Sequence, residues 1–149
     1  MGTDGVIYAP GGVSPIDREV LGAWLSAYEE AWRSPGTDRL TALFTPQATY
    51  RVEPYAEPIR GHTAIASFWE EEREGPEEVF TMGTEVLAVD GDLGVVRVEV
   101  SYGEPARQEY RDLWLIRLDA SGRCTAFEEW PFWPGHGRSP GTTAGGGAV

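Results

Sequence analysis

Residues 48–69, ATYRVEPYAEPIRGHTAIASFW, constrain the fold more than any other stretch, because they dictate a strand, a proline-bounded loop and a helix in immediate succession. Ala48, Tyr50 and Val52 alternate with Thr49, Arg51 and Glu53, the period of two of a strand with one buried face. Pro54 has no amide proton to offer a neighbouring strand, so pairing ends there. After Pro58, Gly61 can take backbone angles closed to other residues, and Ile65, Phe68 and Trp69 then fall on one face of a helix. Strand and helix share an apolar wall, and the loop between them is where a shallow domain admits a ligand.

The flanking sequence supplies the rest of a domain. Ser14, Pro15 and Asp17 form a helix start, with a capping hydroxyl, a proline in the first turn and an acid near the positive helix end. The helix is expected over residues 15–33, with Leu21, Trp24, Leu25, Tyr28 and Trp32 as its apolar stripe and Pro35-Gly36 as its stop. A short second helix starts at Thr37 or Asp38 and carries Leu40, Leu43 and Phe44, and the third spans residues 62–74. Beyond Val79 the period changes to two. Strands are expected over 79–89, 95–102, 107–118 and 123–132, joined by tight turns at Asp90-Gly91-Asp92 and Asp119 to Gly122. Helices followed by a meander imply an α+β domain over residues 14–133, in which three helices pack in the concave face of a strongly curved, mostly antiparallel sheet. The Gly-rich segment 1–13 reads as flexible and 134–149 as a disordered tail, which makes His136 a tail residue.

Composition removes whole classes of function. The chain has no Lys and no Asn, one Cys and two His. Schiff-base chemistry and a phosphate loop of the Gly-Lys-Ser/Thr kind are therefore excluded, as are a cysteine-rich zinc site and a three-histidine metal centre. Cys124 reads as a small buried residue rather than a reactive thiol. A formal charge of -12 opposes binding to nucleic acid or to an anionic membrane, and no apolar run reaches the length of a membrane span. The cytoplasm is the expected location. The acidic run Glu70-Glu71-Glu72, continued by Glu74, Glu77 and Glu78, reads as a solvated helix face and not a cation loop.

The order of these elements, with LTALFTPQATYRVEPY, EPIRGHTAI and the closing FEEWPFW, resembles the nuclear transport factor 2-like superfamily, and within it the SnoaL-like branch. The resemblance covers about residues 15–133. It implies a cystatin-like cone enclosing an apolar pocket, and a function drawn from cofactor-independent isomerases, dehydratases and cyclases or from non-catalytic binding or dimerisation modules with a filled cone. The ketosteroid isomerase pattern, laid over this chain, puts its oxygen-orienting tyrosine on Tyr28, its proton-abstracting aspartate on Val52 and its second acid near Trp114. Two of the three catalytic positions are apolar here. Glu53 is one residue from the base position, but it points to the opposite face of the strand unless a bulge intervenes.

Proton transfer must then come from elsewhere. Asp112 shares a strand face with Tyr110, Trp114 and Ile116, and Glu129 shares one with Phe127. Burial among these residues would raise either carboxyl into the range of a general acid or base. The competing reading pairs Asp112 with Arg97 or Arg111, or leaves it solvated at the rim of the cone, and pairs Glu129 with another arginine. Tyr28 is either a core tyrosine bonded to a neighbour or a donor to a ligand oxygen. His62, at the third helix start, either caps it or sits at the pocket mouth. The expected catalytic set is Tyr28, Asp112 and Glu129. Trp24, Trp32, Tyr50, Val52, Tyr55, Phe68, Trp114 and Phe127 form the expected wall around a small apolar molecule, and no metal or cofactor is called for. An exposed aromatic end at Trp130-Pro131-Phe132-Trp133 would favour a homodimer.

Overall fold

The computed structural model describes residues 15–73 and 78–135. Ser14, Glu74, Glu77, His136 and both expected tails, apart from Pro134 and Gly135, lie outside the described residues. Helix α1 spans Arg18–Arg33, and its cap is Asp17, whose carboxylate accepts a 2.8 Å hydrogen bond from the Val20 amide. The start thus lies three residues inside the expected one. Leu21, Trp24, Leu25, Tyr28 and Ala31 are buried along one stripe. The indole Nε1 of Trp24 donates to the Leu43 carbonyl at 3.0 Å and ties α1 to the short helix α2, Leu40–Leu43.

Phe44 belongs to neither the second helix nor a loop. It opens strand β1, Phe44–Arg51, and is fully buried. Pro46 interrupts this strand without ending it, because the pairing register shifts between Phe44 and Thr49, where a missing amide proton costs no ladder bond. A two-residue strand β2, Ile59–Arg60, folds back on β1, and Gly61, at φ 89°, turns the chain into α3, His62–Glu72. Four strands follow: β3 Phe80–Asp90, β4 Leu93–Tyr102, β5 Gln108–Leu118 and β6 Cys124–Trp130.

These strands form one sheet in the order β2-β1-β6-β5-β4-β3. It is mixed: β1 runs parallel to β6, with Tyr50 opposite Phe127, and every other neighbour is antiparallel. The helices pack against the curved, unclosed sheet as expected of an α+β cone. Its core joins the α1 stripe to Phe44, Ala48 and Tyr50 of β1, Val96 and Val98 of β4, Trp114, Ile116 and Leu118 of β5, and Phe127 of β6. Arg73 closes the bottom of the α1–α2 connection. Its guanidinium donates to the carbonyls of Ala31, Ser34 and Gly36 at 3.3, 2.7 and 2.7 Å and lies over the rings of Trp32 and Trp69.

Candidate functional site

The core does not fill the cone. A cavity of about 550 Å3 remains between α1, the end of β1, α3 and the concave face of β3 to β6. Strand parity decides what faces it. Met82, Val100 and Tyr110 are paired across three adjacent strands, and all three line the cavity. One step along β5, Asp112 lies opposite Val98, and Trp114 lies opposite Val96 on one side and Glu129 on the other. Asp112 and Glu129 therefore occupy diagonal positions on the same face, within reach of one another.

Asp112 is 4% exposed, the one buried acid among the described residues. The Trp114 Nε1–H donates to its Oδ2 at 3.3 Å, while Oδ1 is buried and receives no hydrogen bond. A buried carboxylate oxygen without a donor is costly. The Glu129 carboxyl lies within hydrogen-bonding reach of Asp112. Glu129 is pushed well above the usual carboxylate range, first by burial, then by its hydrogen bond to Asp112 and the negative charge there, with Glu72 adding to the effect. Its side chain lies deep in the protein yet is open to the cavity lumen. The expected arginine partners are engaged elsewhere: Arg97 bonds Glu85 at 2.6 Å, and Arg111 is exposed on the other face of β5. Glu128, on the opposite face from Glu129, takes Arg51 at 4.0 Å and the Trp130 indole at 2.7 Å.

The hydroxyls of Tyr28 and Tyr50 meet at 2.8 Å, near enough to Glu129 to be affected by its charge. Burial pushes both phenols upward, so both stay neutral at ordinary pH. Two hydroxyls in one hydrogen bond use one proton between them. The other remains available, and both residues line the cavity. Tyr28 is thus a buried tyrosine bonded to a neighbour, and it also lines the cavity.

Of the expected wall, Trp32, Tyr50, Val52, Phe68 and Trp114 line the cavity. Trp24 and Phe127 lie behind it in the core, 4% and 1% exposed. Tyr55 does not contribute: it sits in the turn after β1 with its ring fully exposed, because Pro54 directs the chain away from the sheet. Glu53 lies in the same turn, exposed, since the irregularity in β1 falls upstream of it. The imidazole Nε2 of His62 donates to the Phe44 carbonyl at 2.7 Å, a structural bond. Cys124 is fully buried, and burial pushes its thiol upward. Glu70, Glu71 and Glu72 are exposed, as expected of a solvated face, and Glu72 and Glu78 also line the cavity. The signal for Glu72 was its position one helical turn after Phe68. Phe132 and Trp133 are 45% and 41% exposed, and Trp133 also borders the cavity. Among the described residues no cluster of three His, Cys, Asp or Glu is placed to hold a metal ion, and no helix is long and apolar enough to cross a membrane.

Solved structures of the same architecture are numerous. A candidate SnoaL-like polyketide cyclase from a Jannaschia species superposes with a TM-score of 0.64 at 19% identity, covering 80% of this chain and 90% of that one. A candidate ketosteroid isomerase from Kribbella flavida gives 0.59 at 18%, covering 82% and 83%. RV0760c from Mycobacterium tuberculosis gives 0.64 at 10%, covering 79% and 98%. At these identities the likeness is one of fold. No curated protein matches the sequence. The family assignment comes from the sequence itself: the chain belongs to the SnoaL-like domain family, whose pattern it matches over residues 25–127, from the middle of α1 to the strand that carries Glu129.

Proposed function

We propose that the cavity binds a small, largely apolar molecule and that Asp112 and Glu129 move a proton on it, in an isomerisation, dehydration or cyclisation that needs no cofactor. The observation that carries this reading is the pair itself: two carboxyls on one cavity face, one with an oxygen lacking a donor and the other held protonated by burial and by its neighbour. In such a pair Glu129 is the proton donor and Asp112, with one oxygen lacking a donor, is the acceptor. The spare proton of the Tyr28–Tyr50 pair faces the same lumen and orients a ligand oxygen. Trp32, Phe68 and Trp114 supply apolar surface. The open lumen favours ligand binding over a filled, purely structural cone.

Native mass spectrometry of freshly purified protein identifies a retained small molecule, which then serves as substrate. Asp112→Asn is expected to abolish its conversion, because Asn keeps the shape and one acceptor oxygen but takes up no proton. Unchanged conversion in that variant removes Asp112 from the reaction. A protein that retains no small molecule and gains no thermal stability from apolar cavity ligands defeats the reading as a whole.

A further inference from the structure

The electrostatic character of the cavity goes further than a generally apolar lining requires. Among the described residues its lining carries four carboxyls, Glu72, Glu78, Asp112 and Glu129, against one guanidinium, Arg107. Nine of the lining side chains are aromatic. Aromatic faces carry negative electrostatic potential, so rings and carboxylates act in the same sense. Neutral donors for a ligand oxygen come from the hydroxyls of Tyr28, Tyr50, Tyr102 and Tyr110 and from Gln108. At the carboxyls themselves the lumen offers lone pairs and ring faces, which attract a cation.

We propose that the ligand carries a basic nitrogen, protonated in solution, that seats against Asp112 and Glu129 while its hydrocarbon body lies on the aromatic wall. Asp112 supports this independently of the acidic cluster, because it is nine-tenths buried, lines the cavity and keeps Oδ1 without a donor. An ammonium N–H supplies that donor in a charge-assisted hydrogen bond. One ammonium between the two carboxyls reaches both, so a cationic ligand leaves neither without a positive partner. This rests on the cavity being the ligand site, and it names the class of ligand.

The test compares matched probes on the full-length protein. 4-Benzylpiperidine is a secondary ammonium at neutral pH; 4-benzyltetrahydropyran has the same outline with an ether oxygen in place of nitrogen; 3-phenylpropanoate is an anion of similar size. Isothermal titration calorimetry is expected to give the amine an affinity roughly tenfold or more above the ether, the range of a desolvated cation on carboxylate and ring partners. In the double variant Asp112→Asn, Glu129→Gln the amine should lose that advantage, while unchanged ether affinity shows that the cavity is still folded. Equal affinities for amine and ether in the native protein overturn the cation proposal and leave the apolar cavity site standing. Tighter binding of the anion, through Arg107, also overturns it. If none of the three binds, both the cation proposal and the cavity-ligand reading fall.

Discussion

Replacing Glu129 by Gln isolates the energetic consequence of a carboxyl buried beside Asp112. Gln keeps the shape and offers N–H donors beside Asp112, so the substitution removes the titration and little else. In the folded chain Glu129 holds its proton to a pH well above the usual carboxylate range, because of burial and then the hydrogen bond and charge of Asp112. In the unfolded chain the same group titrates at about 4.3. Between those values the folded state keeps a proton that the unfolded state has lost. Stability therefore falls as pH rises through the window, by about 1.4 kcal/mol per pH unit. The contribution is fully present below the unfolded value and gone above the folded one. The variant has no such slope.

The difference in unfolding free energy, variant minus native, should thus be flat below about pH 4, climb by about 1.4 kcal/mol per unit, and level off at the pH where folded Glu129 ionises. For a chain of this length two pH units inside the window separate the melting temperatures by about 6–11 °C, with the variant the more stable. Urea unfolding of both proteins at half-unit steps from pH 4 to 9 measures it, and other titrating groups cancel in the difference. Tyr28 and Tyr50 do not interfere, since both phenols are pushed upward out of this range. The plateau reports the pair as a unit rather than one carboxyl. Parallel curves over the whole range would refute the reasoning: Glu129 would then titrate as an exposed acid, and the relay would lose its proton donor.

Two other substitutions test the scaffold that holds the site. Arg73→Ala strips the donors from three carbonyls and uncovers Trp32 and Trp69, and should cost about 2–4 kcal/mol in urea unfolding; Arg73→Lys should recover only part of this, because one ammonium cannot span all three acceptors. A Lys variant as stable as the native protein contradicts that geometry. Gly94→Ala places a methyl 2.3 Å from Leu21 Cδ2, and Leu21 is fully buried with no room to withdraw, so a loss of about 1–3 kcal/mol is expected. Adding Leu21→Ala should make the glycine substitution nearly neutral, and additive costs in that double-mutant cycle would place the clash elsewhere.

Much of this molecule is legible in its sequence where a period repeats. The α1 stripe and the alternations Val96, Val98, Val100 and Tyr110, Asp112, Trp114 each fall on the face expected of them. Boundaries are less legible, because they depend on competition between local signals. Ser14 and Asp17 both have capping side chains; the helix begins after Asp17, which bonds the amide of Val20. Pro46 lies inside β1 all the same, because the sheet accommodates it with a register shift. Tyr55 looks like wall because it is aromatic and close to the strand, but a turn residue has no sheet to set its direction, and its ring points to solvent. Glu72 and Glu78 are hidden among their like-charged neighbours, since only the packing of α3 and β3 against the cavity distinguishes them.

The acid pair shows why a site can be named in sequence while its cause stays out of view. Asp112 and Glu129 lie on different strands, and they meet only because Trp114 pairs with Glu129. That pairing depends on one irregularity near the hairpin: Arg117 pairs with Ala126, but Leu118 pairs with Cys124, leaving Thr125 as an extra residue in β6. The bulge lets Cys124 and Phe127, three apart and of opposite parity, both be buried. Continue the Leu118–Cys124 register without it, and Trp114 would face Glu128, with Ala126 taking the core position of Phe127. Filling the core with Phe127 and turning Glu129 toward the cavity are therefore one event, and the driving force for burying an aromatic ring holds the carboxyl in an environment it would otherwise avoid. Chemistry at this site is coupled to packing through a single inserted threonine.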